Sequence, residues 1–263
     1  MKNFTCHIEP SHFCIPSDCA PFVPYHSSTY VLRLQEVLFA IFACCNRCLP
    51  NVLYYIRYKN YVSTGKEGRR MCGRYQFTAE QCEEIQKIVQ EVEQRCGRNA
   101  WKPDEICPSV QAPVLVERQG KTTADLMRWG FHTQKSLVIN ARAESVEEKP
   151  LFRNSVLTQR CIIPATGFFE WNTDKRKHLF HLPDAEPIYM AGIYDQRQGE
   201  DCYCILTTEA NESVRGIHPR MPLVLEKDEI NSWMIDPAAY QMLLKKTPPQ
   251  FLATAVDNQT SLW

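Results

Sequence analysis

Arg160-Cys161-Ile162-Ile163-Pro164-Ala165-Thr166-Gly167-Phe168-Phe169-Glu170-Trp171 carries charge only at its first position and its eleventh. The run is rich in β-branched and aromatic residues, shows no 3.6-residue period and is punctuated by Gly167, so it reads as strand. The same grammar recurs on either side, at Val110–Glu117, Ala124–Phe131, Ser136–Arg142, His178–Leu182, Ile188–Asp195 and Asp201–Thr208, with Gly120 and Gly199 marking turns. Helical spacing is confined to a few places. Cys82, Ile85, Ile88, Val89, Val92 and Cys96 follow Thr78-Ala79-Glu80-Gln81, which resembles a capping box. Further helices are expected near Ser145–Leu157, Asp228–Ile235 and Pro237–Lys245. Strands outnumber helices and come in runs, without regular βαβ alternation. The pattern predicts an α+β single domain with a mainly antiparallel, barrel-like sheet flanked by helices.

The 263-residue chain, 44% hydrophobic and 23% charged, has the composition of a soluble globular protein. Its net charge of zero hides an asymmetry. Residues 1–70 hold eight Lys and Arg against four Asp and Glu, and residues 71–263 hold 22 against 26. The larger part is therefore not a globally basic nucleic-acid binder, and any DNA contact must come from a local cluster. The first seventy residues lack sustained periodicity. Their longest apolar run, Val37–Cys45, is too short for the ~20 residues of a membrane span and too far from the N-terminus for a signal peptide. Cys44-Cys45-Asn46-Arg47-Cys48 has no second cysteine pair or histidine at zinc-site spacing, and no metal or organic cofactor is implied. Scattered thiols such as Cys82, Cys96, Cys107 and Cys161 read as small hydrophobes of a cytoplasmic protein. Residues 1–70 are expected to be a non-domain extension, from a mis-assigned start or a processed leader, ahead of a domain at 71–263.

The boundary between these parts is chemically suggestive. In Met71-Cys72-Gly73-Arg74, translation from Met71 followed by methionine removal would leave Cys72 with an α-amine and a thiol on adjacent carbons. Such an amine titrates near ~7.7–8.0 and can attack an aldehyde at neutral pH. The thiol then closes a thiazolidine ring, a reaction whose effective molarity can reach the order of 10⁵ M. The plain alternative is an internal, buried cysteine.

Four other segments place polar groups in or beside apolar strands. Asn140 and Arg142 stand two residues apart, on one face of a strand, as suits an anionic or carbonyl ligand; a turn-closing Asn and an Arg paired with Glu144 would look the same. Glu170 lies among Phe168, Phe169 and Trp171, where desolvation would suit it as a general acid, unless alternation turns it to solvent. His218, followed by Pro219 and Pro222 in Gly216–Pro222, is either a proton shuttle or structural. Asn211 is read as shaping a loop. Arg74, Arg142, Arg153 and Arg220 could provide local positive surface, since guanidinium forks match phosphate oxygens. Trp129-Gly130-Phe131 offers either a stacking surface for an unpaired base or core packing.

In this order, Met71–Arg74, Trp129-Gly130, Asn140–Glu144, Gly167–Trp171 and Ile217–Pro222 resemble the SOS response-associated peptidase family, the abasic-site processing proteins, over about residues 71–258. The resemblance implies a partner, single-stranded DNA containing abasic sites, and a stable thiazolidine between the N-terminal cysteine and the ring-opened sugar. It implies Cys72 as nucleophile, Asn140 orienting it, Glu170 as acid and base, His218 assisting closure and reversal, and Arg74 and Arg142 holding flanking phosphates. It further implies a cytoplasmic monomer, nucleoid-associated when on DNA, acting near replication machinery. Two features depart from the pattern. The full chain gives Cys72 no free amine, and the sequence ends soon after Ala255-Val256-Asp257-Asn258. A cysteine peptidase acting on itself or another chain, and a non-enzymatic single-strand binding module, are the competing readings.

Overall fold

The computed structural model describes residues 73–78, 80, 82–97, 101 and 104–256. The extension expected over residues 1–70, the Cys44–Cys48 cluster and Cys72 lie outside them. In chain order, β1 (Arg74–Phe77) is followed by α1 (Glu83–Cys96), β2 (Asp104–Ile106), β3 (Gln111–Arg118) and β4 (Lys121–Trp129). Next come β5 (Phe131–His132), β6 (Leu137–Val138), β7 (Asn140–Arg142), α2 (Arg153–Thr158), β8 (Arg160–Ala165), β9 (Gly167–Trp171) and β10 (Lys177–His181). The chain continues through β11 (Ile188–Arg197), β12 (Glu200–Glu209), α3 (Glu212–Arg215), β13 (Arg220–Pro222) and β14 (Val224–Leu225). It closes with α4 (Glu229–Ile235), α5 (Ala239–Leu243) and β15 (Leu252–Val256).

Five of these strands form a closed ring in the order β12, β4, β3, β8, β11 and back to β12. Each pairing in the ring is antiparallel except β12 with β4, where Cys202 and Tyr203 meet Arg128 and Trp129. Closure removes the open edges that a sheet of apolar strands would otherwise expose. It also explains why the strands read as apolar runs with little alternation: all six residues of β8 and the first six of β11 are buried, covered on both faces. The fold is thus the α+β architecture with a barrel that the strand pattern predicts.

The run Arg160–Trp171 is two strands in two sheets. β8 belongs to the barrel, while β9 belongs to a five-stranded antiparallel sheet ordered β15, β10, β9, β1, β2. Thr166 makes the corner. Its N–H donates to the Gln76 carbonyl at 2.8 Å, and its Oγ1 accepts from the Thr78 N–H at 3.2 Å. Gly167 follows because a Cβ there would stand 2.6 Å from Leu179 Cδ1 and 2.9 Å from the Phe180 carbonyl oxygen. The two sheets are tied by a buried hydrogen bond of 2.7 Å between the Tyr75 and Tyr203 hydroxyls.

Two helical expectations need correction. α1 starts at Glu83 with Cys82 as its N-cap and no side-chain cap; Thr78 donates its N–H to Thr166, and Ala79 and Gln81 of the expected capping box lie outside the described residues. Its buried face, Ile85, Ile88 and Val92, packs on β3 and β4 as the spacing predicts. The continuous helix expected over Ser145–Leu157 is instead a 3₁₀ turn at Ala143–Ser145 and, after further turns, α2. Pro150 lies between them and disfavours helical geometry in the residue before it.

Candidate active site

β9 alternates two kinds of residue between its faces. Phe168 turns inward, where it stacks on Phe180 of β10 with centroids 5.0 Å apart, and Glu170, two residues on, shares that face. Glu170 is only 1% exposed. The sequence leaves its orientation open; in the structure it is turned away from solvent, on the face that carries the stacked Phe168 and Phe180. A buried carboxyl group requires a proton or a compensating partner. That partner comes from elsewhere in the chain, since His218 places Nδ1 4.0 Å from Glu170 Oε1 and is itself 3% exposed.

Backbone bonds on both sides hold His218. Its N–H donates to the Val214 carbonyl at the end of α3, and the Arg220 N–H reaches its Nδ1 at 3.2 Å, bridging Pro219. α3 is capped by Asn211, whose Oδ1 accepts from the Ser213 N–H and whose Nδ2 donates to the Pro248 and Pro249 carbonyls. Asn211 therefore shapes the loop, as its lead-in suggests. The segment is closed by Arg220. Its guanidinium donates to both oxygens of Glu144, at 2.5 and 2.9 Å, and to the Thr207 carbonyl at 2.6 Å. Burial pushes the Glu144 carboxyl up, but Arg220 outweighs it and holds the group below the usual carboxylate range.

Asn140 and Arg142 lie on β7, which runs parallel to β12 with Asn140 opposite Ile205 and Arg142 opposite Thr207. Asn140 is half-buried and Arg142 exposed. Through Thr207 this strand meets the Arg220 lock beside His218. Arg74 opens β1 and sits opposite Phe169, one position from Glu170 on the adjacent strand. Cys72 lies outside the described residues.

Three expected surface groups are placed differently. Trp129 is fully buried, stacks on Tyr203 at 6.2 Å and donates its indole N–H to the Ile139 carbonyl, so it is core and offers no stacking surface. Gly130 is buried with φ of 112°, and a Cβ there would meet Leu137 Cδ1 at 2.7 Å, so packing accounts for it. Arg220 spends its fork on Glu144 and Thr207 and is not poised for a phosphate. Arg153 stands exposed at the start of α2, which packs against β8 and β11.

A cationic, aromatic surface does exist, on the outer face of β9. Arg74 lies 5.7 Å from the Trp171 ring centroid, and the Lys177 ammonium 3.9 Å from that of Phe169. Glu105 of β2 bridges Arg74 and Lys177. Burial raises the Glu105 carboxyl, yet the two cations together hold it below its ordinary value. Lys177, Glu105 and Trp171 were not singled out in the sequence as binding residues; only strand register reveals that they share a face with Arg74.

The family model described as SOS response associated peptidase (SRAP) matches residues 71–260. The chain is 30% identical over 181 residues to the abasic site processing protein YoaM of Bacillus subtilis, covering 62% of this chain and 79% of that one. It is also 30% identical over 196 residues to YoqW of the same organism, which bears the same description, covering 66% and 87% respectively. Among solved structures, a protein from Bordetella bronchiseptica superposes with a TM-score of 0.59 at 24% identity, covering 71% of this chain and all of that one.

Proposed function

Because the chain belongs to the SOS response-associated peptidase family, we propose that it captures abasic sites in single-stranded DNA as a thiazolidine on Cys72. The observation that carries this reading is the buried Glu170–His218 pair at 4.0 Å, with Glu170 on the strand that pairs with β1, which begins two residues after Cys72 in the chain. Relatives named as abasic site processing proteins support the choice of substrate. The α-amine of a chain beginning at Cys72 attacks C1 of the ring-opened sugar, water leaves, and a Schiff base forms. The thiol then adds to the C=N bond and the nitrogen takes up a proton. Glu170 serves as acid and base in ring opening and dehydration, a role worth about 10²–10⁴ in rate. His218 assists ring closure and its reversal, and Asn140 orients the sugar. Arg74 and Arg142 hold flanking phosphates.

In this reading the working protein begins at Met71, with that methionine removed, and residues 1–70 are not part of the domain at 71–263. The same Cys, Glu and His set would serve a self-cleavage that frees Cys72. Two proteins test the proposal: the full chain, and one whose translation starts at Met71. Intact mass is recorded before and after incubation with a single-stranded oligonucleotide containing one abasic site. The shorter protein is expected to begin at Cys72 and gain the oligonucleotide mass. Cys72→Ala is expected to gain nothing, and Glu170→Gln to slow the gain about 100-fold or more. A stable adduct on unprocessed full chain, or on Cys72→Ala, would overturn the proposal.

A further inference from the structure

The sheet brings a second imidazole to the face that carries Glu170. In the antiparallel pairing of β9 with β10, His178 is the direct partner of Glu170, and Phe180 the partner of Phe168. Directly opposed residues of an antiparallel pair project to the same side, with Cβ atoms about 4.5–5.5 Å apart. Since Phe168 and Phe180 stack on the inner face, His178 and Glu170, each two residues along, occupy that face too. His178 Nε2 is out of contact with solvent and has no hydrogen-bond partner among the described residues. Leaving such an atom unmatched is destabilising, so its presence on the face that Phe180 shares calls for a reason.

The surroundings narrow that reason. On its other side β10 pairs with β15, where Ala255 faces His178 and Ala253 faces Phe180, neither with a titratable group. Tyr75 of β1, opposite Phe168, has its hydroxyl engaged with Tyr203. Among the described residues, the charged or titratable groups left on this face are Glu170 and, reaching Glu170 from the loop before β13, His218. His218 has Nδ1 within reach of the Arg220 main chain, so its orientation is set by backbone. His178 Nε2 has no such contact among the described residues, which leaves the ring able to follow the carboxyl group.

We infer that His178 is a positioning residue for Glu170, a cross-strand imidazole that fixes the carboxyl rotamer and sets the pH range over which it gives and takes a proton. The inference rests on the proposed chemistry of Glu170, but the pairing itself can be tested without that chemistry. The first measurement is the NMR titration of the His178 ring in the full chain and in Glu170→Gln. Removing the facing carboxyl group is expected to change the course of that titration. The second is the pH profile of adduct formation by protein translated from Met71, compared with His178→Phe and His178→Gln. Phe keeps the bulk and strand preference of the site, and Gln keeps a hydrogen-bonding group without titration. Both variants are expected to shift, by half a unit or more, the limb that disappears in Glu170→Gln, while unfolding midpoints report separately on the fold. An unmoved His178 titration in Glu170→Gln overturns the inference, as does an unmoved profile in both variants. Coupled titrations in a wild-type protein that forms no adduct would retain the pairing and refute the proposed function.

Discussion

Arg160→Met would test what holds the start of the Arg160–Trp171 run in place. Arg160, 5% exposed, aims its guanidinium at the carbonyl ends of two helices. Nε donates to Trp233 at 2.5 Å, Nη1 to Val156 at 3.0 Å and Leu157 at 2.7 Å, and Nη2 to Met234 at 3.2 Å. These carbonyls belong to the last turns of α2 and α4, which have no donors of their own helix left to use and carry partial negative charge. The guanidinium also stands 4.6 Å over the Tyr240 ring. Losing the fork would leave the buried acceptors on Val156, Trp233 and Met234 unmatched, at about 1–3 kcal/mol each. Relief of desolvation offsets part of this, since burial pulls the Arg160 guanidinium below its ordinary pKa. The expected net loss is about 3–5 kcal/mol, or roughly 6–20 °C in Tm for a domain of this size. Urea unfolding at pH 7, followed by circular dichroism and by tryptophan fluorescence, measures it. Arg160→Lys keeps the charge without the planar fork and should recover less than half. A loss below about 1 kcal/mol in Arg160→Met, or full recovery by lysine, would refute the reasoning that directed hydrogen bonds matter more than charge at this position.

Two further predictions concern the sheet that carries Glu170. Glu105 has its carboxyl held below the ordinary carboxylate value near 4.5, so the stability it confers is present above that pH and is lost as pH falls through the lower folded-state value. Glu105→Gln should therefore flatten the acid limb of the unfolding free energy between pH 5 and pH 3, by roughly 1 kcal/mol; parallel pH curves for the two proteins would contradict it. Gly167→Ala would press a Cβ to 2.9 Å from the Phe180 carbonyl oxygen, and overpacking of this kind costs about 1–3 kcal/mol. Denaturant midpoints within error of wild type would show that the strand can yield there.

The residues explain which parts of this molecule could be read in advance. β8, β11 and β12 announce themselves because both of their faces are buried and the sequence has no room for polar alternation. The switch of sheet at Thr166 was not legible: Arg160–Trp171 is locally one strand, and only the remote partners Gln76, Leu179 and Phe180 define the corner. β1, β2 and β15 are short strands whose pairing is their main support, so periodicity gave them no signal. At the site, Glu170 and His218 stood out as polar residues in apolar or proline-rich settings, and the fold brings them together. Trp129 misled because an aromatic beside glycine looks alike on a surface and in a core; its hydrogen bond to Ile139 decides the matter. Glu105, Lys177 and His178 were missed because their importance lies in register, which a sequence encodes through strands far away.

Glu170 on β9 and His218 in the loop before β13 reach each other from distant segments, and β1 meets β9, its second partner besides β2, only after some ninety intervening residues. Contacts of such separation form late in folding, since loop closure must precede any gain from them. During synthesis, when the N-terminal portion emerges first, β1 can therefore pair with β2 early but waits for about half of the domain before its other edge is covered by β9. An amine and thiol able to trap aldehydes would be a hazard in a cell containing many small carbonyl metabolites. Dividing Glu170 and His218 between distant segments delays their meeting until the tertiary structure is finished. On the proposed chemistry, the long-range topology would work as a timer, with reactivity arriving together with the surface that selects what it reacts with.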